Sequence, residues 1–258
     1  MSVDKKALDA VSYHIREENT WELENTQEIM SKLQWLKQEF PGKQITLIDV
    51  GANIGWFSLV AASKGFHVLA FEPMKENIKI MRANINQNSF EKYINLVEVA
   101  LGNKEDQDCL ISSPSDNILN GNLYCESTTK VMIPNDQGRE RQQLHLKKLD
   151  SFTETAASEK TFFGVMKIDT EGFEMYVLKG AKNFLLTHRV PFILLEYFER
   201  KMLAQGYNGP QLLRLLKQYG YEVRVNSFDG PVVNSVKEIY ENVKSKEQFT
   251  NLYCIRIE

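Results

Sequence analysis

The chain is poor in cysteine and has no long apolar run, and several patterns that assign function most directly are missing from it. Only Cys109, Cys125 and Cys254 occur in 258 residues, with no C-x-x-C pair. This gives neither a disulfide framework nor a cysteine zinc site, and it leads to the expectation of a reducing compartment and a soluble, cytoplasmic protein. No apolar stretch approaches the ~20 residues that span a bilayer, and Met1-Ser2-Val3-Asp4-Lys5-Lys6 opens a polar segment with no apolar h-region behind it. The four histidines, His14, His67, His145 and His188, share no metal-ligand spacing. Excess positive charge is absent too: the formal net charge is −3, which disfavours a nucleic-acid partner. Arg139, Arg141, Lys147 and Lys148 are diluted by Glu140 and polar neighbours, so they read as a solvated face. There is no internal repeat, no low-complexity tract and no G-x-G-x-x-G.

What is present is a chain with 43% hydrophobic residues, enough to bury one large core. Leu47-Ile48-Asp49-Val50-Gly51-Ala52-Asn53-Ile54-Gly55 is an apolar run entering a glycine turn, the carboxyl end of a buried strand, where open α/β sheets bind ligands. One βαβ step later, Phe71-Glu72-Pro73 puts a carboxylate at the end of the second strand, able to accept hydrogen bonds from both hydroxyls of a ribose. The spacing Gly51-x-x-x-Gly55 differs from the one that seats a pyrophosphate on a helix N-terminus. A phosphate-free nucleoside fits better. S-adenosylmethionine is one: Asp49 can attract its ammonium or sulfonium while backbone donors of the turn receive its carboxylate. The plainer alternative is that the two glycines only close a tight turn.

Residues 20 to 40 carry Leu23, Ile29, Met30, Leu33, Leu36 and Phe40 at helical spacing, stopped by Pro41-Gly42. Trp21-Glu22 could form part of a lid over the ligand, or Trp21 could simply pin the helix. Strands are expected at 45–50, 68–71, 94–101, 162–168, 192–195, 221–225 and 252–257, with helices between them. Asn208-Gly209-Pro210 caps one such helix and Gly220 ends it. The pattern argues for a seven-stranded doubly wound α/β sheet. We divide the chain into an N-terminal helical segment, 1–44, and a domain, 45–258, with an insertion at about 102–150. That insertion contains hairpin-like pieces, Cys109-Leu110-Ile111, Leu123-Tyr124-Cys125 and Leu144 to Leu149, and is expected over the carboxyl edge of the sheet, where it would help choose the acceptor.

Three carboxylates fall at neighbouring strand ends. Val165-Met166-Lys167-Ile168-Asp169-Thr170-Glu171-Gly172 puts Lys167 and Asp169 on one face with Glu171 in the turn, and Phe192 to Tyr197 ends with Glu196. Asp169, Glu171 and Glu196 admit three explanations: a general base, oxygen ligands for a cation such as Mg²⁺, or helix caps. Lys167 reads as their salt-bridge partner. His145 in the insertion is a candidate for meeting substrate. Trp21, Trp56 and Tyr197 could stack on a sugar, or pack.

These segments resemble the FkbM-type methyltransferases, a branch of the S-adenosylmethionine-dependent, Rossmann-like class I. The matching pieces are Ile48 to Gly55, Phe71-Glu72-Pro73, Val99-Ala100-Leu101-Gly102, Leu149-Asp150-Ser151-Phe152, Lys167 to Gly172, Val177 to Ala181 and Leu194-Leu195-Glu196, in the family's order. The resemblance implies O-methylation, often of a hydroxyl on a sugar or a polyketide-type natural product, so the partner is a small-molecule or glycan acceptor. It also implies that Asp49, Gly51, Ala52, Asn53 and Gly55 line the methionine end, Glu72 and Pro73 the ribose, and Val99-Ala100 the adenine, through backbone groups. A nicotinamide-dependent oxidoreductase and a non-catalytic interaction protein on the same scaffold are the competing readings.

Overall fold

The computed structural model describes residues 10–113, 121–125, 140–154, 156, 158–243 and 249–257. Eleven strands occur among these residues: β1 (Gln44–Val50), β2 (His67–Phe71), β3 (Ile94–Val97), β4 (Ala100–Leu101), β5 (Asp108–Ser113), β6 (Asn122–Cys125), β7 (Glu140–Lys147), β8 (Thr161–Ile168), β9 (Phe192–Tyr197), β10 (Tyr221–Val225) and β11 (Thr250–Arg256). Seven form one sheet in the order β10-β11-β9-β8-β1-β2-β3. Its neighbours pair in parallel from β3 through β9, and β11 runs antiparallel to both β9 and β10. The sequence reading of a seven-stranded α/β sheet is what the chain forms.

Strand β1 is buried from Ile45 to Val50, which suits a central parallel strand covered on both faces. One face is covered by α2 (Leu23–Glu39) with Ile29, Leu33 and Leu36, α3 (Trp56–Ser63) with Phe57 and Ala61, and α4 (Lys75–Gln87) with Met81 and Ile85. The other is covered by α5 (Glu174–Gly180), α6 (Lys182–His188), α7 (Glu199–Ala204), α8 (Gly209–Gln218) and α9 (Val236–Asn242), through residues such as Val177, Phe184, Met202, Leu216 and Ile239. At α8 the Asn208 side chain accepts from Gln211 N while the Gln211 side chain accepts from Asn208 N, so two otherwise orphaned donors are satisfied beside Pro210. A further helix, α1 (Ala10–Glu18), precedes α2 and was not anticipated from the sequence.

Two expectations are corrected. The strand expected at 94–101 breaks in two. Val99 N–H donates to Val97 O (3.0 Å), which turns the chain out of the main sheet, and β4 then pairs with β7 in a second sheet, β4-β7-β5-β6. The cysteines also pair: Cys109 and Cys125 face each other across β5 and β6 and form a disulfide, leaving Cys254 free and buried. That removes the cysteine-based case for a reducing compartment. The described insertion residues Ile111, Gly121 and Leu123 line one cavity with Glu72 and Val99, at the carboxyl edge of the main sheet where the insertion was expected. Of the basic cluster, Arg139 lies outside the described residues, and Lys147 is balanced by Asp106 (2.7 Å) and Glu105 (3.6 Å). Among the described residues no helix is long and apolar enough to cross a membrane.

Candidate active site

Strand register assembles the site at the carboxyl edge of the main sheet. Asp49 of β1 is the Cα partner of Lys167 of β8, which is in turn the partner of Leu194 of β9. Two residues further on, the same face carries Gly51, Asp169 and Glu196, and Asn251 of β11 lies opposite Glu196. Strand alternation therefore sends Tyr197 to the other face. It is 1% exposed within the core there, with its hydroxyl against the position of Gly209, and it does not line the cavity the sequence had suggested.

Two cavities adjoin here. The smaller, of about 90 Å³, is lined by Glu72, Pro73, Asn77, Val99, Ala100 and Phe173, together with the insertion residues already named. The larger, of about 350 Å³, is lined by Trp21, Glu22, Trp56, Lys167, Glu196, Lys201 and Asn251, among others. Gly51, Asn53, Asp169 and Glu171 line both. The joint between the cavities is thus made by the β1–α3 turn and the β8–α5 turn.

In the smaller cavity Glu72 Oε2 accepts from Asn53 N (2.8 Å), and Oε1 accepts from Met74 N (2.8 Å) and Asn77 Nδ2 (3.2 Å). Burial nevertheless pushes this carboxyl up to about 7, against those hydrogen bonds. A carboxyl group fixed by backbone donors, held in a pocket with apolar walls, fits a ribose and a base: it has acceptor capacity beyond its three protein donors. The turn beside it has spent its backbone donors: Gly51 N and Ala52 N both donate to Phe71 O (3.0 Å each), Asn53 N to Glu72 Oε2, Ile54 N to Asn53 Oδ1 (2.7 Å) and Gly55 N to Ala52 O (2.9 Å). This corrects the expectation that these N–H groups receive a ligand's carboxylate and leaves carbonyl oxygens such as Gly51 O to meet an ammonium.

The larger cavity is acidic. Asp49 stands below its floor and does not line it: its Oδ2 accepts from Ser58 Oγ (2.6 Å), and its Oδ1 lies 3.9 Å from Lys167 Nζ. This corrects the expectation that Asp49 reaches the ligand itself. Lys167 Nζ is 3.2 Å from Asp169 Oδ2, 3.5 Å from Gly51 O and 4.9 Å from the Phe57 ring centre. Burial alone would lower the Lys167 ammonium, but the carboxylates of Asp169, Asp49 and Glu22 outweigh it and hold it above its ordinary value. Glu171, at φ 58°, pairs with Lys201 from α7. Burial raises Glu196 well above the usual carboxylate range, reinforced by Asp169, Glu174 and Glu22.

Other sequence candidates are placed elsewhere. His145 is exposed on β7 and meets Asp108 (2.7 Å), away from both cavities. Trp21 lines the larger cavity beside Trp56. Among the described residues no three His, Cys, Asp or Glu side chains are grouped to hold a metal ion, so the cation reading of the carboxylates finds no ligand set. Sequence reasoning gave no role to Glu174. Its Oε1 accepts from Thr170 N (3.0 Å), Thr170 Oγ1 (3.2 Å) and Gly172 N (3.0 Å), which fixes the turn that carries Asp169 and Glu171. The E-G-x-E spacing of Glu171 to Glu174 at a strand-to-helix turn was the available signal.

The fold and the paired cavities define a class I S-adenosylmethionine-dependent methyltransferase. The chain belongs to the FkbM methyltransferase domain family, which matches residues 49–223. That membership favours methyl transfer over the nicotinamide reading. The chain is also similar to the AMB antimetabolite synthetase AmbE of Pseudomonas aeruginosa, 25% identical over 209 residues, covering 69% of this chain and 10% of that protein. It therefore spans about a tenth of the length of the curated relative it matches. Among solved structures, the bifunctional kinase-methyltransferase WbdD superposes with a TM-score of 0.54 at 13% identity, covering 98% of this chain and 44% of that one, a likeness of fold. A second WbdD structure, at 2.2 Å, gives 0.52 at 14% identity, covering 98% and 45%.

Proposed function

We propose that the protein is an O-methyltransferase acting on a hydroxyl of a sugar, a glycan or a glycosylated or polyketide-type natural product. The observation that carries this reading is the joint between the cavities: the pocket around Glu72 meets, at Gly51, Asn53, Asp169 and Glu171, a polar cavity that also holds Glu196. AmbE is by its name a synthetase of an antimetabolite, which supports a small-molecule acceptor.

Bound S-adenosylmethionine supplies an electrophilic methyl group. Glu72 would accept the ribose hydroxyls, the Gly51 carbonyl oxygen would receive the ammonium of the amino-acid end, and Pro73, Val99 and Ala100 would flank the base. Asp169, with the Lys167 ammonium 3.2 Å away, is placed to take the acceptor's proton. Glu196, which lines the same cavity, is placed to hydrogen-bond the acceptor and orient it. Holding the oxygen in line can lower the barrier by up to ~7–11 kcal/mol, more than a base alone contributes.

The test is calorimetric titration with S-adenosylhomocysteine and, in parallel, NAD, for the wild type and Glu72→Ala. Binding of the first that weakens in the variant supports the reading, and sugars and glycosylated metabolites then follow as acceptors. Binding of NAD alone would overturn it.

A further inference from the structure

The acidic groups of the larger cavity differ in whether they have a cation. Asp169 and Asp49 share Lys167, and Glu171 has Lys201. Glu22 and Glu196 line only this cavity, and no lysine, arginine or histidine lies within ion-pair distance of either among the described residues. Glu196 Oε2 is withdrawn from solvent with no hydrogen-bond partner among the described residues.

Glu22 is held in place by what surrounds it. Its backbone sits in the left-handed region, φ 42° and ψ 58°, which is unfavourable for a residue with a Cβ. Asn25 Nδ2 donates to its Oε2 (2.5 Å), and Asn25 Oδ1 accepts from Tyr253 of β11 (2.5 Å). Thr26 Oγ1 donates to Trp21 O (3.1 Å) and accepts from Trp56 Nε1 on α3 (3.0 Å). The segment is thereby fastened to both the sheet and the cofactor-side helix, with one carboxylate aimed into the cavity.

We propose that the acceptor carries a protonated amine as well as the hydroxyl, and that Glu22 is the specificity-determining residue that receives this ammonium, with Glu196 beside it. This rests on the methyl-transfer reading. With Asp169 and Glu171 each paired to a lysine, Glu22 and Glu196 are the carboxyl groups of this cavity left for a cationic group of the acceptor. A neutral polyol would leave two half-buried carboxyl groups with hydrogen bonds and only the more distant field of Lys167. An ammonium gives each a charge-assisted one, about twice as strong. Both carboxyls stand above their ordinary range chiefly because of burial, the condition an arriving cation relieves.

The experiment is calorimetric titration of the S-adenosylhomocysteine-loaded protein with glucosamine, N-acetylglucosamine and glucose, for the wild type, Glu22→Gln and Glu22→Gly. Glycine suits the backbone at this position, so the second variant removes the carboxylate without a folding penalty from φ. The amine is expected to bind about tenfold tighter than either neutral sugar, with both variants erasing that advantage and keeping S-adenosylhomocysteine affinity within about twofold. Equal binding of the three sugars, no binding of glucosamine, or an advantage that survives in both variants would overturn the proposal. Failure of the wild type to bind S-adenosylhomocysteine would instead bring down the methyl-transfer reading on which it stands.

Discussion

Gly51 and Asp169 meet backbone to backbone, so closely that a Cβ on Gly51 would lie 1.8 Å from the carbonyl oxygen of Asp169. The β1–α3 turn and the β8–α5 turn are thereby locked against each other at the point where the two cavities join. Gly51 also has φ +76°, whereas at Gly55 (φ +93°) the nearest obstacle is the flexible Met81 side chain, 2.9 Å away. Gly51→Ala is therefore expected to cost about 3 kcal/mol or more and Gly55→Ala about 1–2 kcal/mol. Urea unfolding of the two variants checks the order, and a Gly55 variant equal to or worse than Gly51→Ala would contradict it.

The Asp169 side chain is expected to matter for turnover and not for cofactor affinity. Asp169→Asn should lower kcat by ~10²–10⁴-fold, the usual contribution of a general base, while S-adenosylhomocysteine binding changes only a fewfold. Steady-state kinetics on whichever acceptor the screen identifies, paired with calorimetry, separates the two. Unchanged kcat would remove Asp169 from the chemistry.

Glu72 makes a prediction about pH. Folded, it is held up at about 7; unfolded, it titrates near its ordinary 4.5. Between those values the folded protein keeps a proton that the unfolded chain has released. This group's stabilisation is thus fully present below about pH 4.5 and is lost as the pH rises to about 7, at up to ~1.4 kcal/mol per pH unit. Unfolding free energies measured across that window should fall less steeply in Glu72→Gln than in the wild type. Superimposable slopes would show that the carboxyl is ionised in the fold.

The disulfide joins positions 16 residues apart and holds the hairpin that presents Ile111 and Leu123 to the smaller cavity. Closing a loop of that size stabilises by ~3 kcal/mol. Purified without reductant and denatured, the protein should titrate one thiol, Cys254, and with reductant three. Cys109→Ser should lower Tm and weaken S-adenosylhomocysteine binding. Three reactive thiols in the unreduced protein would rule the bond out.

Much of this arrangement was legible in the sequence because strand ends and buried parallel strands leave local marks: an all-apolar run, then a turn residue. Asp169 and Glu196 could be placed at one edge from such runs alone. The same period-two logic, pressed further, separates Glu196 from Tyr197, since adjacent residues in a strand cannot share a face. Asp49 was harder. Whether it reaches a ligand or supports Lys167 depends on the registration of β1 against β8, which no local pattern states. The cysteines were readable only as a pair of hairpin strands: aligning Ile111 with Leu123 brings Cys109 opposite Cys125, yet their wide spacing hid it. Glu22 was readable as part of a lid but not as a charge in the cavity, because its electrostatic partners Lys167, Asp169 and Glu196 are each more than a hundred residues away in sequence.

Trp21, Glu22 and Asn251 lie outside the stretch 49–223 by which the family is recognised, yet they wall the larger cavity. The smaller cavity, by contrast, is built entirely from residues inside that stretch. The rest of the larger cavity, Lys167, Asp169, Glu171, Glu196 and Lys201 included, lies within that stretch, so the two cavities share one framework and only part of the larger one's wall comes from the flanks. Under the proposed roles, those flanking walls are the parts that can be exchanged without touching the turns of Gly51 and Asp169. Chimeras that exchange only these flanks between relatives are the natural way to move one acceptor preference onto another member's engine.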